Sequence, residues 1–386
     1  MLILSMRQIA QLVAYCVDYE FEDVIAAVTA ADRIEVGGYK ALDWSRRLYK
    51  YTRFLGKAQH PGGSFPGFHS TVRLQRDYEL FFPVFNEPYE LFSLAVVPDW
   101  RKRCRLAACF LSEVWLTDMP HYLIELLSQF DHIFLGVRHP VGEIARIAGR
   151  PCTYLPLAAD VLQFAPYPET PERAIDLCNV GRRSQVTHEA LLRLASDRRF
   201  FYYYDTVAAS GVDMKQRTFR VQDAREHRLL LANLLQRSRY CFAHRGFVNH
   251  PEFTRGRDEI SSRAYEGAAA GVVMLGEAPR GQDFQQQFDW PDTVIHVPFD
   301  CAEIGRVLQD LDANPARLAR IRRDNVRNSA LRHDWAYRLR TVFETLGLPP
   351  TEAMLAREQR LKAVALGTEA ALESVQSTCA PVPAAG

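Results

Sequence analysis

The sequence predicts an α/β protein built from two Rossmann-like halves facing each other across a cleft. Three observations lead there. From about Tyr78 onward short apolar runs alternate with helical stretches, the pattern of parallel strands joined by crossover helices. Past Asp160 the segment LQFAPYPETPER places three prolines in close succession, which disfavours helix and central strand alike and suits a linker. A second alternating series follows it, and 386 residues suffice for two or three domains at about 150 residues each.

Taken in order, the N-terminal MLILSMRQIAQLVAYCVDYE is apolar at its start but interrupted by Arg7, Gln8 and Gln11, and reads as a helix. Phe21 to Ala31 reads as a helix, Arg33 to Val36 as a strand, and His60 to His69 (HPGGSFPGFH) as an irregular glycine, proline and aromatic loop. Strands are expected at Tyr78 to Phe85, Leu106 to Leu111, His132 to Val137 and Pro151 to Pro156. Helices are expected at Met119 to Phe130 and at Pro140 to Gly149, where the glycine supplies the stop. The second series has strands at Ala174 to Val180, Phe200 to Asp205, Tyr240 to Ala243, Val272 to Leu275 and Thr293 to Val297. Helices fall at His188 to Ser196, Glu226 to Arg237, Ala302 to Asp312 and Pro315 to Asn328. This divides the chain into a first domain over 1–160, a linker over 161–172 and a second domain over 173–332. From about Pro349 the alanine-rich polar tail, 349–386, has few large apolar residues and is expected to be a partial helix followed by disorder.

Composition excludes several functions. Lysine plus arginine is 47 against 46 for aspartate plus glutamate, so the net charge of +1 offers no global attraction to nucleic acid. No run of about 20 apolar residues is present, which argues against a membrane span and leaves peripheral attachment at the inner membrane face open. The eight cysteines lack CxxC or metal-ligand spacing, as expected of reduced cytoplasmic thiols without a metal centre.

The most informative stretch is RDEISSRAYEGAAAGVVML, from Arg257 to Leu275. Ser261 or Ser262 caps a short helix, Arg263 falls in its first turn, Glu266 follows, and Gly271 stops it before an apolar strand. An arginine opposes the helix dipole at that end, so its presence makes sense if an anion such as phosphate occupies the site; the plain rival is an Arg263/Glu266 surface pair. Because open α/β sheets bind ligands beyond the carboxyl ends of their strands, Gly181, Arg182 and Arg183, then Asp205, then His244 and Arg245 join the candidates. Glu113 and His121, after the Leu106 to Leu111 strand, are candidates for sugar contact or acid–base work, and His60 and His69 for an acceptor loop.

The run TYLPLAAD with Phe164 and Pro166, then IDLCNVGRRS, YCFAH and RDEISSRAYEGAAAG, resembles the C-terminal half of GT-B glycosyltransferases, closest to the bacterial CgeB-like, family 4-type group. The closing HDWAYRLRTVFETLGL, 333–348, is similar to that group's terminal helix, which crosses back to the first domain. The resemblance covers roughly Leu106 to Leu348. It implies a GT-B fold and transfer of a sugar from a UDP-, GDP- or dTDP-linked donor, with retention and without a metal or further cofactor. The implied acceptor is a carbohydrate, glycolipid or protein. By the same resemblance Glu266 meets the ribose hydroxyls. Arg182 or Arg183 and the serine-capped helix tip of Ser261, Ser262 and Arg263 meet the diphosphate, and Asp258 or Glu259 lies near the donor sugar; His244, from the strand-end rule, is a further candidate for binding the donor. The sequence departs from the family in two ways. Glu259 and Glu266 have six residues between them instead of seven, Asp258 standing at the usual distance, and no glycine-rich turn follows an obvious first strand, Gly37/Gly38 or Gly62/Gly63 being the substitutes. A non-catalytic nucleotide-sugar-binding scaffold and a GT-B nucleotide-sugar epimerase are the alternatives.

Overall fold

A computed structural model describes residues 1–37, 44, 71–114, 119–197, 199–205, 220–249, 254 and 257–378. The loop histidines His60 and His69, and Gly38, Gly62 and Gly63, lie outside the described residues. The chain forms two α/β units: residues 1–157, 220–228 and 338–355 in the first, and 158–219, 229–337 and 356–386 in the second. Each is Rossmann-like, with an all-parallel sheet, as the GT-B expectation requires of the separate halves. Among the described residues no helix is long and apolar enough to cross a membrane.

The first unit's sheet contains β1 (Leu2–Ser5), β2 (Asp32–Glu35), β3 (Tyr78–Phe81), β4 (Val84–Phe85), β5 (Cys104–Leu111), β6 (His132–Leu135) and β7 (Cys152–Tyr154). Its order is β2-β1-β3-β5-β6-β7, with β4 also paired to β5. The first strand corrects the helical reading of the N-terminus. Leu2, Ile3 and Leu4 are wholly buried, and a short strand covered on both faces shows a continuous apolar run instead of alternation, so periodicity alone cannot separate it from a buried helix. The helix begins later, as α1 (Cys16–Thr29), and closes on Ala30 in the left-handed region at φ 50°. Next come α2 (Trp100–Arg103), α3 (His121–Leu127) and α4 (Val141–Ala148), the last ended by Gly149 at φ 61°, where a Cβ would be strained.

The second unit opens with α5 (Val161–Phe164), then β8 (Ile175–Asn179), α6 (Gln185–Asp197), β9 (Tyr202–Tyr204), α7 (Ala224–Gln236), which enters it from the first unit, and β10 (Ser238–Phe242). It continues with α8 (Ser262–Ala269), β11 (Val273–Gly276), α9 (Gln282–Gln287), β12 (Val294–His296), α10 (Ile304–Asp312) and α11 (Pro315–Arg332); of α12 (Trp335–Thr345) only the first three residues belong to it, the rest falling in the first unit. Sheet order is β12-β11-β10-β8-β9, so the chain reverses its direction of travel between β8 and β10. The GAAAG run does close packing: a Cβ on Gly267 would lie 2.7 Å from Met274 Sδ, and one on Gly271, at φ 62°, 2.6 Å from Val326 Cγ2.

The tail begins with the helix its sequence suggests. It forms α13 (Glu352–Thr378), with Met354, Leu361, Val364 and Ala365 buried. Within the second unit Arg357 donates to Asp334 Oδ1 at 2.8 Å and Oδ2 at 2.7 Å and to Asp160 Oδ1 at 2.6 Å. Asp334, wholly buried, also accepts from the backbone N–H of Val161 and of Ala336, both at 2.9 Å. A buried carboxylate is tolerable when charge-paired and fully hydrogen-bonded in this way.

The first unit buries a different kind of acid. Asp18 Oδ2 accepts from Asn86 Nδ2 at 2.7 Å and Ser112 Oγ at 3.0 Å, while Glu22 Oε2 accepts from Ser5 Oγ at 2.6 Å and Arg7 at 3.1 Å. Desolvation dominates both: Asp18 is pushed up to about 7 and Glu22 to about 8. Between pH 4 and 7 the folded state therefore holds protons that the unfolded chain has released, and stability from Asp18 falls as pH rises through that window. Asp18→Asn keeps an acceptor for Asn86 and Ser112 but cannot ionise. Its Tm at pH 8 should exceed the wild type's by at least about 3 °C, with the gap closing at pH 4, in thermal melts run across pH.

Candidate functional site

The carboxyl ends of β8, β9, β10 and β11 bring together most of the residues expected in the second unit. Beyond β8, Gly181 takes a left-handed φ of 91°, and its N–H donates to Asp205 Oδ2 at 2.7 Å. Arg183 Nη1 donates to the Asp205 carbonyl at 2.6 Å and to its carboxylate at 2.5 Å, with the guanidinium 5.3 Å from the Tyr204 ring centroid. Arg182 lies 4.1 Å over the Phe247 ring and donates to Asn249 Oδ1 at 3.2 Å. The two arginines thus differ: Arg183 is the deeper, its side chain 6% exposed and charge-compensated, whereas Arg182 lies over an aromatic face.

After β10, Ala243 N–H donates to the Leu275 carbonyl at 2.8 Å and Arg245 N–H to that of Glu277 at 2.7 Å, extending the ladder past the strand ends. His244 Nδ1 accepts from the Glu277 N–H at 3.1 Å. Its ring stacks on Phe242 with centroids 5.4 Å apart and meets Phe299 edge-on at 5.2 Å. Burial pushes this imidazole down to about 4, with Glu277 opposing and Arg245 reinforcing the shift, so it is neutral at pH 7.

The acidic segment follows. Asp258 Oδ1 lies 3.5 Å from Arg245 Nη1, and its Oδ2 accepts from the Arg280 N–H at 3.1 Å. Glu259 holds the chain through its carbonyl, which accepts from Gly246 N–H at 2.8 Å. Ser261, not Ser262, is the cap of α8: with extended φ and ψ of −73° and 147° it accepts from the Arg263 N–H, while Ser262 is the first helical residue. Arg263 forms an ion pair with Glu266. Glu266 is 1% exposed, so this pair is not the solvated surface bridge weighed as the plain rival; the arginine neutralises a carboxylate that burial would otherwise penalise.

Two expected residues lie in the first unit. Glu113 sits at the carboxyl end of β5, its N–H donating to the Asn86 carbonyl at 2.8 Å. His121 begins α3 with its side chain 80% exposed, 3.1 Å from Glu125 on the same helix. Arg7, pinned to Glu22 and Asp23, occupies the connection after β1, and no glycine lies between β1 and α1. A polar cavity of about 230 Å³ beside it is lined by Arg7, Gln8, Gln11, Tyr19, Glu35 and Gln222, among others.

Sequence reasoning missed Glu277. Its backbone fixes His244 and Arg245, its Oε1 accepts from the Phe299 N–H at 2.8 Å, and its Oε2 lies 3.9 Å from Arg245 Nη2. The signal was present, since Glu277 directly follows β11 and obeys the strand-end rule that selected the others.

Residues 219–344 match the model of the glycosyl transferase-like family. That stretch is about a third of the chain. No curated protein matches its sequence. Among solved structures it is similar to Anabaena Alr3699/HepE in complex with UDP-glucose, at 9% identity over 90% of this chain and 98% of that one, with a TM-score of 0.47. It is also similar to TarM, at 8% identity over 68% and 54% with a TM-score of 0.41. The glycotransferase of kitacinnamycin follows at 11% identity over 90% and 98%, with a TM-score of 0.38. The matched region contains His244, Arg245, Asp258, Arg263, Glu266 and Glu277, that is, the β10 and β11 side of the site.

Gly276 holds that side together. At φ 147°, a conformation L side chains rarely adopt, a Cβ there would lie 3.0 Å from His244 Nδ1 and 3.1 Å from Ala243 C. Gly276→Ala should cost about 1–3 kcal/mol in denaturant unfolding and displace the His244 ring; a variant as stable as the wild type would contradict the geometry.

Proposed function

We propose that this protein moves a sugar from a nucleoside-diphosphate donor to a carbohydrate-bearing acceptor. The donor would lie along the carboxyl edge of the second unit, with retention of configuration and guanidinium groups in place of a metal ion. The observation that carries this reading is the convergence of Arg182, Arg245 and the Ser261-capped start of α8 beyond strands that flank a reversal of chain direction, beside the buried, charge-paired Glu266. Anionic ligands bind where helix N–H groups and cations point beyond parallel strands.

In this reading Glu266, held in place by Arg263, accepts from the ribose hydroxyls. Arg182 and the α8 tip face the diphosphate. As the glycosidic bond breaks, the leaving diphosphate gains negative charge while the anomeric carbon becomes cationic, and fixed positive groups stabilise that state more than the bound donor. Asp258, already near Arg245, stands on the sugar side with Glu259. Arg183, committed to Asp205, shapes the loop that presents Arg182. For the acceptor, the amide and carboxylate groups of the first unit's polar cavity suit sugar hydroxyls, with Glu113 and His121 the titratable groups after β5. Among the described residues the cysteines are free thiols, in keeping with a cytoplasmic site of action.

Incubation with UDP-, GDP- and dTDP-sugars, read by thermal shift and nucleotide release, should reveal a donor that both stabilises the protein and is consumed; an interconverted sugar would instead mark an epimerase. With that donor, Arg263→Ala and Arg182→Ala should each lower turnover about a hundredfold or more, and unchanged steady-state kinetics would remove them from the mechanism.

A further inference from the structure

We propose that Arg173 is a positioning residue for the donor site: its guanidinium clamps the C-terminal end of α8 and so sets where the Ser261 tip and Glu266 stand. The assignment rests on the donor-site function just proposed, and it concerns a residue that acts only through the backbone. Each terminal amino group of a guanidinium carries two hydrogens, and in Arg173 both groups are fully placed. Nη1 donates to the carbonyls of Leu235 at 3.3 Å and Ser238 at 2.5 Å, and Nη2 to those of Ala270 at 3.1 Å and Gly271 at 2.9 Å. The fork thus ties the end of α8 to the last turn of α7 and to the first residue of β10.

The way α8 ends explains why it needs this clamp. Val272 N–H donates to the Gly267 carbonyl at 3.1 Å and Gly271 N–H to that of Ala268 at 3.0 Å, the double closure that accompanies a left-handed residue, here Gly271 at φ 62°. That closure serves the carbonyls of Gly267 and Ala268, and Arg173 takes the next exposed pair, Ala270 and Gly271. A cation is favoured at a helix C-terminus, and among the described residues no carboxylate is paired with Arg173, so carbonyl dipoles alone offset its charge. From Ala270 the path to the site is one hydrogen bond long, its N–H donating to the Glu266 carbonyl at 3.0 Å. At 1.5 Å per residue α8 is only about 12 Å long, so movement at the clamped end reaches the Ser261 cap almost undiminished.

Titration calorimetry of the full-length protein with UDP, GDP and dTDP tests this, alongside hydrogen–deuterium exchange without ligand. Arg173→Lys keeps the charge but offers three hydrogens on one nitrogen in place of a fork, so it cannot span four carbonyls. It should bind the preferred diphosphate about tenfold more weakly at unchanged stoichiometry, with exchange quickened over residues 266–272 while β8 and β10 stay protected. A merely structural role would cost folded protein, lowering the stoichiometry and leaving Kd unchanged, and that result would overturn the proposal. Weaker binding with α8 exchanging as in the wild type would do the same. Arg173→Gln, whose amide can serve two of the four carbonyls, should fall between wild type and the lysine variant, and it decides the matter if Arg173→Lys fails to fold. Wild-type protein that binds no nucleoside diphosphate would overturn the donor-site function and this role together. Wild-type binding with unaltered affinity in the variants would overturn the role of Arg173 alone.

Discussion

Everything at the site depends on the strands being parallel. In a parallel sheet all carboxyl ends emerge on one edge, so residues far apart in sequence, Gly181, Asp205, His244 and Glu277, arrive as neighbours without special loops. The order of strands reverses between β8 and β10, and such a switch point is where open α/β sheets take up ligands. The cost is that polar groups gather where backbone N–H and C=O groups are running out of partners. The molecule meets that cost by using the site's own backbone: Ala243, Arg245 and Gly246 continue the hydrogen bonding past the last strand residue.

The arginines divide by the same logic. Arg183 is deep enough to need a carboxylate, and Asp205 provides it while also holding the Gly181 turn. Arg263 is needed by a carboxylate, since Glu266 has almost no solvent to ionise into. Neither pair is worth much as a stability argument, because desolvation offsets most of the attraction; both fix direction. In the first unit Asp18 is met only by an amide and a hydroxyl, which do not offset its burial, so it stays largely protonated up to about neutral pH.

Much of this architecture was legible in the sequence because strand and helix have different periods and the loops carry glycine and proline. The elements from Tyr78 onward follow the alternation closely. β1 escaped because a strand buried on both faces has no period to read; in the tail a partial helix was legible, but not which of its sparse apolar residues would be buried. At the site, the strand-end rule selected Arg182, Arg183, His244 and Arg245 as candidates, and the capping pattern narrowed the helix cap to Ser261 or Ser262. Which arginine is tied to which acid was not legible, since Arg183 and Asp205, or Arg245 and Asp258, meet only through the fold. The i,i+3 pair of Arg263 and Glu266 could be read as a pair, but not as a buried one.

The triad of Arg357, Asp334 and Asp160 makes the tail part of the machinery. Any shortened form ending before residue 357 would take from Asp334 the cation that offsets its burial, at the point where α11 passes into α12. The polar, alanine-rich C-terminus, which invites trimming, is therefore a counter-ion delivered on a helix.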